Sequence, residues 1–308
     1  MDRVSIVRCT DYSASNLRDA LITSFDYFGG IEHFICPGEK VLLKPNLIAS
    51  SKGDNATTDA RFIEAVVKIV KEHEAFPFVG DSPAFGSAKG VAKAVGVMQT
   101  LERQKVEVVE FKRNIRFTNH VSVSNSINDF DKIINLPKLK AHGQVRFTGA
   151  TKNLFGFTKG KVKAWRHFIV RNDLEKFCLM LLKIHQIVRP PFTLVDAVDI
   201  MERTGPRGGK TRHFGYVFAG INCISIDTVM GMCLGIDKKD TPLLCTAEKL
   251  GFSSGQLDQI EIKGETIDAV RLSDFKYPQD LSDISFTLKG VIRSLFRHLY
   301  LLSIEKRR

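Results

Sequence analysis

Short apolar, β-branched runs alternate along this chain with longer stretches whose apolar positions recur every three or four residues. The runs Val4–Arg8, Lys40–Lys44, Phe76–Gly80, Val106–Phe111, Lys132–Leu136, Phe192–Val195, Tyr216–Ala219 and Gln259–Lys263 read as strands. Ser15–Phe28, Asp59–His73, Leu174–Gln186, Asp227–Leu234 and Pro242–Leu250 read as helices. In the second of these, Phe62, Ala65, Val66, Ile69 and Val70 form an apolar stripe, with Thr57 or Thr58 as the expected N-cap. Strands alternating with helices at this spacing predict an α/β fold, a largely parallel open sheet with helices on both faces. Residues 1–270 form the expected α/β domain, and residues 271–308 a basic helical extension. The stretch Gly143–His167, rich in Gly, Thr and Lys, has no clean period. It reads as an irregular basic insertion, either a functional loop or a sign of misassigned elements.

Composition changes this picture little. The 308 residues include 44% hydrophobic and 26% charged positions, which is ordinary for a globular chain and excludes wholesale disorder. Apolar stretches fall far short of the ~20 residues of a membrane-spanning helix. Met1-Asp2-Arg3-Val4 leads straight into a strand-like run without a signal-peptide layout. A soluble, cytoplasmic protein is the expectation.

Charge matters more. The formal net charge is +11, and it is local. Residues 132–172 hold ten bases and no acid, and residues 289–308 hold six bases and one acid. The rest of the chain is mildly acidic. A local excess of cations points to an anionic ligand or surface rather than to general solubility.

Six cysteines, Cys9, Cys36, Cys178, Cys223, Cys233 and Cys245, contain no C-x-x-C pair. No zinc or iron–sulfur site is therefore encoded by cysteine spacing, and buried reduced thiols are expected. Walker A, G-x-G-x-x-G dinucleotide, G-x-S-x-G and H-E-x-x-H patterns are likewise missing.

Candidate chemistry gathers at predicted strand ends. The second strand ends in Lys44-Pro45-Asn46 and the third in Gly80-Asp81-Ser82-Pro83. The Lys132–Leu136 strand ends in Pro137-Lys138-Leu139-Lys140-Ala141-His142, and the Phe192–Val195 strand in Asp196, Asp199 and Glu202. Ligands of open parallel sheets bind beyond the carboxyl ends of the strands. If these strands are parallel, the lysines face the acids across one crevice. Thr148–Gly156 adds Lys152-Asn153 after small residues, a pattern able to offer backbone N–H groups and an ammonium to an anion. Lys44, Asn46, Ser82, Lys138, Lys140, Lys152 and Asn153 are the candidate ligand-binding residues. Asp81, His142, Asp196 and Glu202 are the candidate acid–base groups or ligands of a divalent metal, with His167 a second proton carrier.

Each motif also has a plain structural reading. Lys-Pro-Asn can be a strand exit and Gly-Asp-Ser-Pro a turn. Asp196, Asp199 and Glu202 can cap a helix or pair with Arg203 and Arg207, and His142 can satisfy backbone groups.

Taken together, Val41–Asn46, Gly80–Pro83, Ile134–His142, Thr148–Gly156, Asp196 with Glu202, Gly205-Pro206 and Ile226-Asp227 resemble the family called domain of unknown function 362. The resemblance runs from about Val4 to the Gly264 region, and its most specific part is Lys-Asn-Leu-x-Gly following Pro-Lys-x-Lys-x-His. It implies a link to redox chemistry, because many members carry a ferredoxin-like module with 4Fe-4S clusters. No such cysteines occur here, so the module is either naturally missing, supplied by a partner, or beyond this sequence. The resemblance supplies no catalytic residue.

Leu288, Val291, Ile292, Leu295, Phe296, Leu299 and Leu302 follow helical spacing, interrupted by Lys289, Arg293 and Arg297. Such a C-terminal amphipathic helix fits an anionic membrane surface, a partner, its own domain, or a connector to the ferredoxin-like module. Three functions follow. The first is binding of a small phosphorylated or carboxylated ligand at the sheet edge, with chemistry there. The second is nucleic-acid binding by residues 132–172, with Phe147, Phe155, Phe157, Trp165 and Phe168 available for stacking but no recognisable module. The third is a peripheral membrane or scaffold role for residues 287–308.

Overall fold

A computed structural model describes residues 1–48, 55–83, 86–111, 113–159, 173–252 and 257–281. The strands are β1 (Asp2–Arg8), β2 (Lys40–Pro45), β3 (Phe76–Asp81), β4 (Val108–Glu110), β5 (Asn114–Arg116), β6 (Ser122–Ser124), β7 (Lys132–Leu136), β8 (Lys138–His142), β9 (Arg146–Thr148), β10 (Phe192–Glu202), β11 (Lys210–Gly220) and β12 (Ile260–Gly264). The α-helices are α1 (Ala14–Asp26), α2 (Ala60–Glu72), α3 (Ala88–Ala94), α4 (Val97–Arg103), α5 (Ala150–Asn153), α6 (Leu174–Val188), α7 (Cys223–Cys233), α8 (Pro242–Lys249) and α9 (Ile267–Val270).

The spatial order of the main sheet is β12-β1-β11-β10-β7-β2-β3-β4, with β8 and β9 attached along β10. β10, β7, β2, β3 and β4 pair in parallel, whereas β11 runs antiparallel to both β10 and β1. This is the expected largely parallel α/β sheet. β5 and β6 form a separate hairpin.

Alternation along β2 shows why both faces are covered. Val41 and Leu43 join the core beneath α1, α2, α3 and α4, while Leu42 joins the core beneath α6, α7 and α8. A strand buried on both sides reads as a continuous apolar run, as this one does. α2 buries Phe62, Val66, Ile69 and Val70. Its N-cap is Asp59, which accepts from the Arg61 amide at 2.9 Å, rather than Thr57 or Thr58. Thr58 Oγ1 instead bridges two strand ends, accepting from the Asn46 amide and donating to the Leu136 carbonyl.

Three elements differ from expectation because charged and polar side chains concealed strand: buried in β8 and β10, largely exposed at the start of β11. Phe192–Val195 continues to Glu202, and its partner begins at Lys210 instead of Tyr216. The segment after Pro137 is not a loop but β8, in which Lys138, Leu139, Lys140, Ala141 and His142 are all buried. β7 pairs with the start of β10, and β8 with its later half, placing Lys138 directly opposite Asp196. The supposed irregular insertion contains β9, α5 and a 3-10 turn, Leu154–Phe157, in its described part. α7 begins at Cys223, capped by Asn222, four residues before the expected Asp227.

Residues 271–281 lie along the body, where Leu272 N donates to Cys233 O at 2.7 Å and Arg203 N to Lys276 O at 2.5 Å. No helix among the described residues is long and apolar enough to cross a membrane. His167 and the C-terminal amphipathic segment 287–308 lie outside the described residues.

Candidate functional site

The carboxyl ends of β2, β3 and β7 lie side by side, with Lys44 in register with Asn135. Lys44 is fully buried, a placement that a cation tolerates only with partners. Its Nζ lies 2.9 Å from Asp81 Oδ1 and donates to the Pro45 carbonyl at 2.8 Å and Asn153 Oδ1 at 3.3 Å. Burial pulls the Lys44 pKa below its ordinary value, and Asp81 opposes that pull. Asp81 is satisfied in turn by the amides of Leu47 and Ser82, each at 2.8 Å. Gly156 packs directly against this pair, because a Cβ there would overlap Asp81 Oδ1 and the Lys44 ammonium. The sequence signals Lys-Pro-Asn, Gly-Asp-Ser and Asn-Leu-x-Gly thus meet at one point. What they build first is an internal ion pair.

A second node sits on β8 and β10. Lys138 Nζ donates to Asp196 Oδ2 at 2.9 Å and to the Tyr12 hydroxyl at 2.8 Å, and that hydroxyl donates to Asp196 Oδ1 at 2.8 Å. Asp196 Oδ2 also accepts the Asp59 amide at 2.9 Å. Lys138 and Asp196 side chains have no solvent exposure. Burial, then the Asp196 charge, pushes the Tyr12 phenol far up, so it stays protonated. Arg61 covers the ring at 4.3 Å.

The remaining candidates spread along the same edge. Lys140 Nζ donates to the Ala56 carbonyl at 2.6 Å, an oxygen also approached by Asn46 Nδ2 at 3.4 Å. His142 Nδ1 accepts from the Gln144 amide at 3.1 Å, and Ser82 is buried beside Asp81. Glu202 and Asp199 belong to the far half of β10. They pair across to β11, Glu202 with Arg212 at 3.4 Å and Asp199 with His213 at 2.9 Å. These two acids therefore serve the β10–β11 ladder rather than facing the lysines. Among the described residues, no group of three or more His, Cys, Asp or Glu is arranged to hold a metal ion.

α5 is where the arrangement departs most from sequence reasoning. Its amides were expected to await an anion, but they already have one. Asp227 of α7 accepts from Ala150 N at 2.7 Å and Thr151 N at 3.0 Å. Burial raises the Asp227 pKa to about 6, against the effect of those donors. Gly149 leaves room for this carboxylate and for Met230. Asn153 fixes the other end of the helix, donating to Lys44 O at 3.1 Å and Asn135 Oδ1 at 2.8 Å. Asn135 donates onward to Ala150 O at 3.1 Å. Asn153 is thus an internal brace.

Between these anchors stands Lys152. It is half-buried, and crowding around its ammonium lowers its pKa to about 8 with no carboxylate acting on it. Among the described residues it has no hydrogen-bond or ion-pair partner, unlike Lys44, Lys138 and Lys140.

Sequence reasoning gave no site role to Tyr12, Asp59, Asn135 or Asp227, although Asn135 and Asp227 lie in stretches that carry the family resemblance. Tyr12 is 126 residues from Lys138, and Asp227 is 77 from Ala150, so no local spacing exposes them. Four of the six cysteines are buried, and burial pushes the thiols of Cys9, Cys178, Cys223 and Cys233 up to about 12. These four are inert packing groups.

The fold and edge define an α/β protein whose parallel strands end in buried lysine–carboxylate pairs. The chain belongs to the family described as Domain of unknown function (DUF362), whose profile matches residues 41–231. It is 34% identical over 309 residues to the thylakoid-associated protein sll1697 of Synechocystis sp., covering 98% of this chain and 96% of that one. Among solved structures it resembles the lactate racemase apoprotein from Thermoanaerobacterium thermosaccharolyticum, with a TM-score of 0.41 and 11% identity. That likeness covers 72% of this chain and 54% of the enzyme, so the chain spans about half the enzyme's length.

Proposed function

We propose that the carboxyl edge of the parallel strands binds a small anionic ligand, phosphorylated or carboxylated, with Lys152 as its principal charge partner. The observation that carries this reading is the contrast among the lysines. Lys44 and Lys138 are neutralised by Asp81 and Asp196, whereas Lys152 has a crowded ammonium with no counter-ion. A desolvated cation without a partner is stabilised by an anion that supplies one. Asp227 and Asn153 fix the backbone of its helix, so the point from which the flexible Lys152 stem reaches a ligand is set.

The test is calorimetric titration of the full chain with inorganic phosphate and with succinate. Binding is expected, and Lys152→Met should weaken it at least tenfold while the far-UV spectrum stays unchanged. Absence of binding to every small anion tried, or equal binding by the variant, overturns the reading. Nucleic acid fits less well. Within the acid-free segment Lys138 and Lys140 are buried, and Arg146 is bound to backbone carbonyls of Asp240 and Pro278. Those bases form no exposed row for phosphates.

A second reading is favoured by the name of the Synechocystis relative, a thylakoid-associated protein similar over nearly the whole chain. Residues 287–308 combine an apolar helical period with a basic surplus, the composition of a segment that lies on anionic lipid. Flotation of the full chain with vesicles containing anionic lipid should exceed that of a chain lacking residues 287–308. Equal flotation of the two removes the segment from this role.

A further inference from the structure

Lys152 combines an amine that meets no partner with a backbone that is pinned on both sides. The Ala150 and Thr151 amides are held by Asp227, and the adjoining Asn153 is held by Lys44 O and Asn135 Oδ1. Resting on the anion-site reading above, we propose that Lys152 is a nucleophile that captures the carbonyl of a small oxo acid as an imine. The reaction needs no oxidant or reductant. The Nζ lone pair forms the C–N bond, and the carbonyl π pair moves to oxygen, which takes a proton. The resulting carbinolamine then loses water, with one N–H proton leaving, to give the C=N bond. A proton from solvent converts the imine to an iminium.

The free-base amine is the reactive form, and desolvation in apolar surroundings is a known way to expose it. With its pKa lowered from the ordinary 10.5 to about 8, Lys152 has a larger unprotonated fraction near pH 7 than an ordinary lysine. Lys44, Lys138 and exposed Lys68 are each already engaged: the first two hydrogen-bond to carboxylates and neighbouring oxygens, and Lys68 pairs with Glu64 at 3.0 Å. An oxo acid also fits the charge. Its carboxylate would lie beside the iminium, so one residue would supply both the covalent bond and the counter-ion.

The experiment incubates the full chain with pyruvate, and separately with glyoxylate, and reduces any C=N bond with sodium borohydride. Intact mass and peptide mapping then count and locate the adducts. One adduct on Lys152 is expected, with yield rising with pH around a midpoint near 8. It should be lost in both Lys152→Arg and Lys152→Met, whose folding is checked by far-UV spectra and urea unfolding. Adducts scattered over exposed lysines without enrichment at Lys152, or equal labelling of Lys152→Arg elsewhere in the chain, overturn the proposal. Phosphate or succinate binding without trapping overturns the imine and leaves the anion site standing. Neither binding nor trapping overturns both.

Discussion

The Lys138 node and the Lys152 helix belong to the same end of one sheet, yet they treat a lysine amine in opposite ways. At Lys138 the sheet register sets a carboxylate directly opposite, and Tyr12 and the Asp59 amide complete its shell. At Lys152 no carboxylate acts on the amine, and Asp227, which holds the same helix, is turned to backbone amides. The first arrangement is closed. Every polar atom in it has a protein partner, as a buried ion pair needs if it is to balance the loss of hydration. The second is open, with the backbone satisfied and the ammonium left over. Closed nodes of this kind hold a fold, while an unpaired cation on a braced helix invites a ligand.

Removing Asp196 is the most forceful way to break this contrast. Asp196→Ala leaves Lys138 without its carboxylate in a site without solvent and deprives Tyr12 and the Asp59 amide of their acceptor. The expected loss is about 3–5 kcal/mol, read from the urea midpoint of full-length protein. A loss under about 1 kcal/mol would show that the node is not closed. The paired replacement Lys138→Met with Asp196→Leu should recover only the part of the loss that comes from the unpaired Lys138, because the Tyr12 hydroxyl and the Asp59 amide still lack their acceptor.

Lys152→Met should act in the other direction. The folded chain holds this lysine below its ordinary pKa, so at neutral pH the ammonium costs stability that methionine does not. A gain on the order of 1–2 kcal/mol is expected, allowing for the half-buried position. The sign also appears in pH dependence. Between about 8 and 10.5 the unfolded chain binds the proton that the folded chain has released, so stability of the parent should rise with pH. The variant should lack that rise. A variant less stable than the parent at pH 7 would mean that the amine has a protein partner after all.

Much of the fold was legible because its strands are apolar and their ends are punctuated by Pro45, Pro83 and Pro137. The same punctuation located Lys44, Asp81 and Lys138, and the end of the apolar Phe192–Val195 run located Asp196; parallel pairing then brings them to one edge. Their division into internal pairs was not legible. Whether a lysine meets a carboxylate depends on cross-strand register, and the Lys138–Asp196 match arises only because β8 continues β7 along β10. Asp227 could be placed at a helix start and among the stretches that resemble the family, but its role was hidden because the amides it holds come from a segment 77 residues away. Charge was the misleading signal in β8 and β10. It suggested loops where burial with partners permits strands.

The smallest expected effect separates Asp199 from Asp196, three residues earlier on the same strand. Asp199 pairs with His213 on β11 at 2.9 Å, but the histidine side chain is 58% exposed. Water screens such a pair, and holding both side chains costs rotamer freedom, so its net value is small. Asp199→Ala should therefore cost at most about 1 kcal/mol and leave anion binding at the Lys152 edge unchanged. Both can be read from urea unfolding and phosphate titration. A larger loss, or altered binding, would place the far half of β10 within the site. It would also return Asp199 and Glu202 to the crevice that their sequence position first suggested.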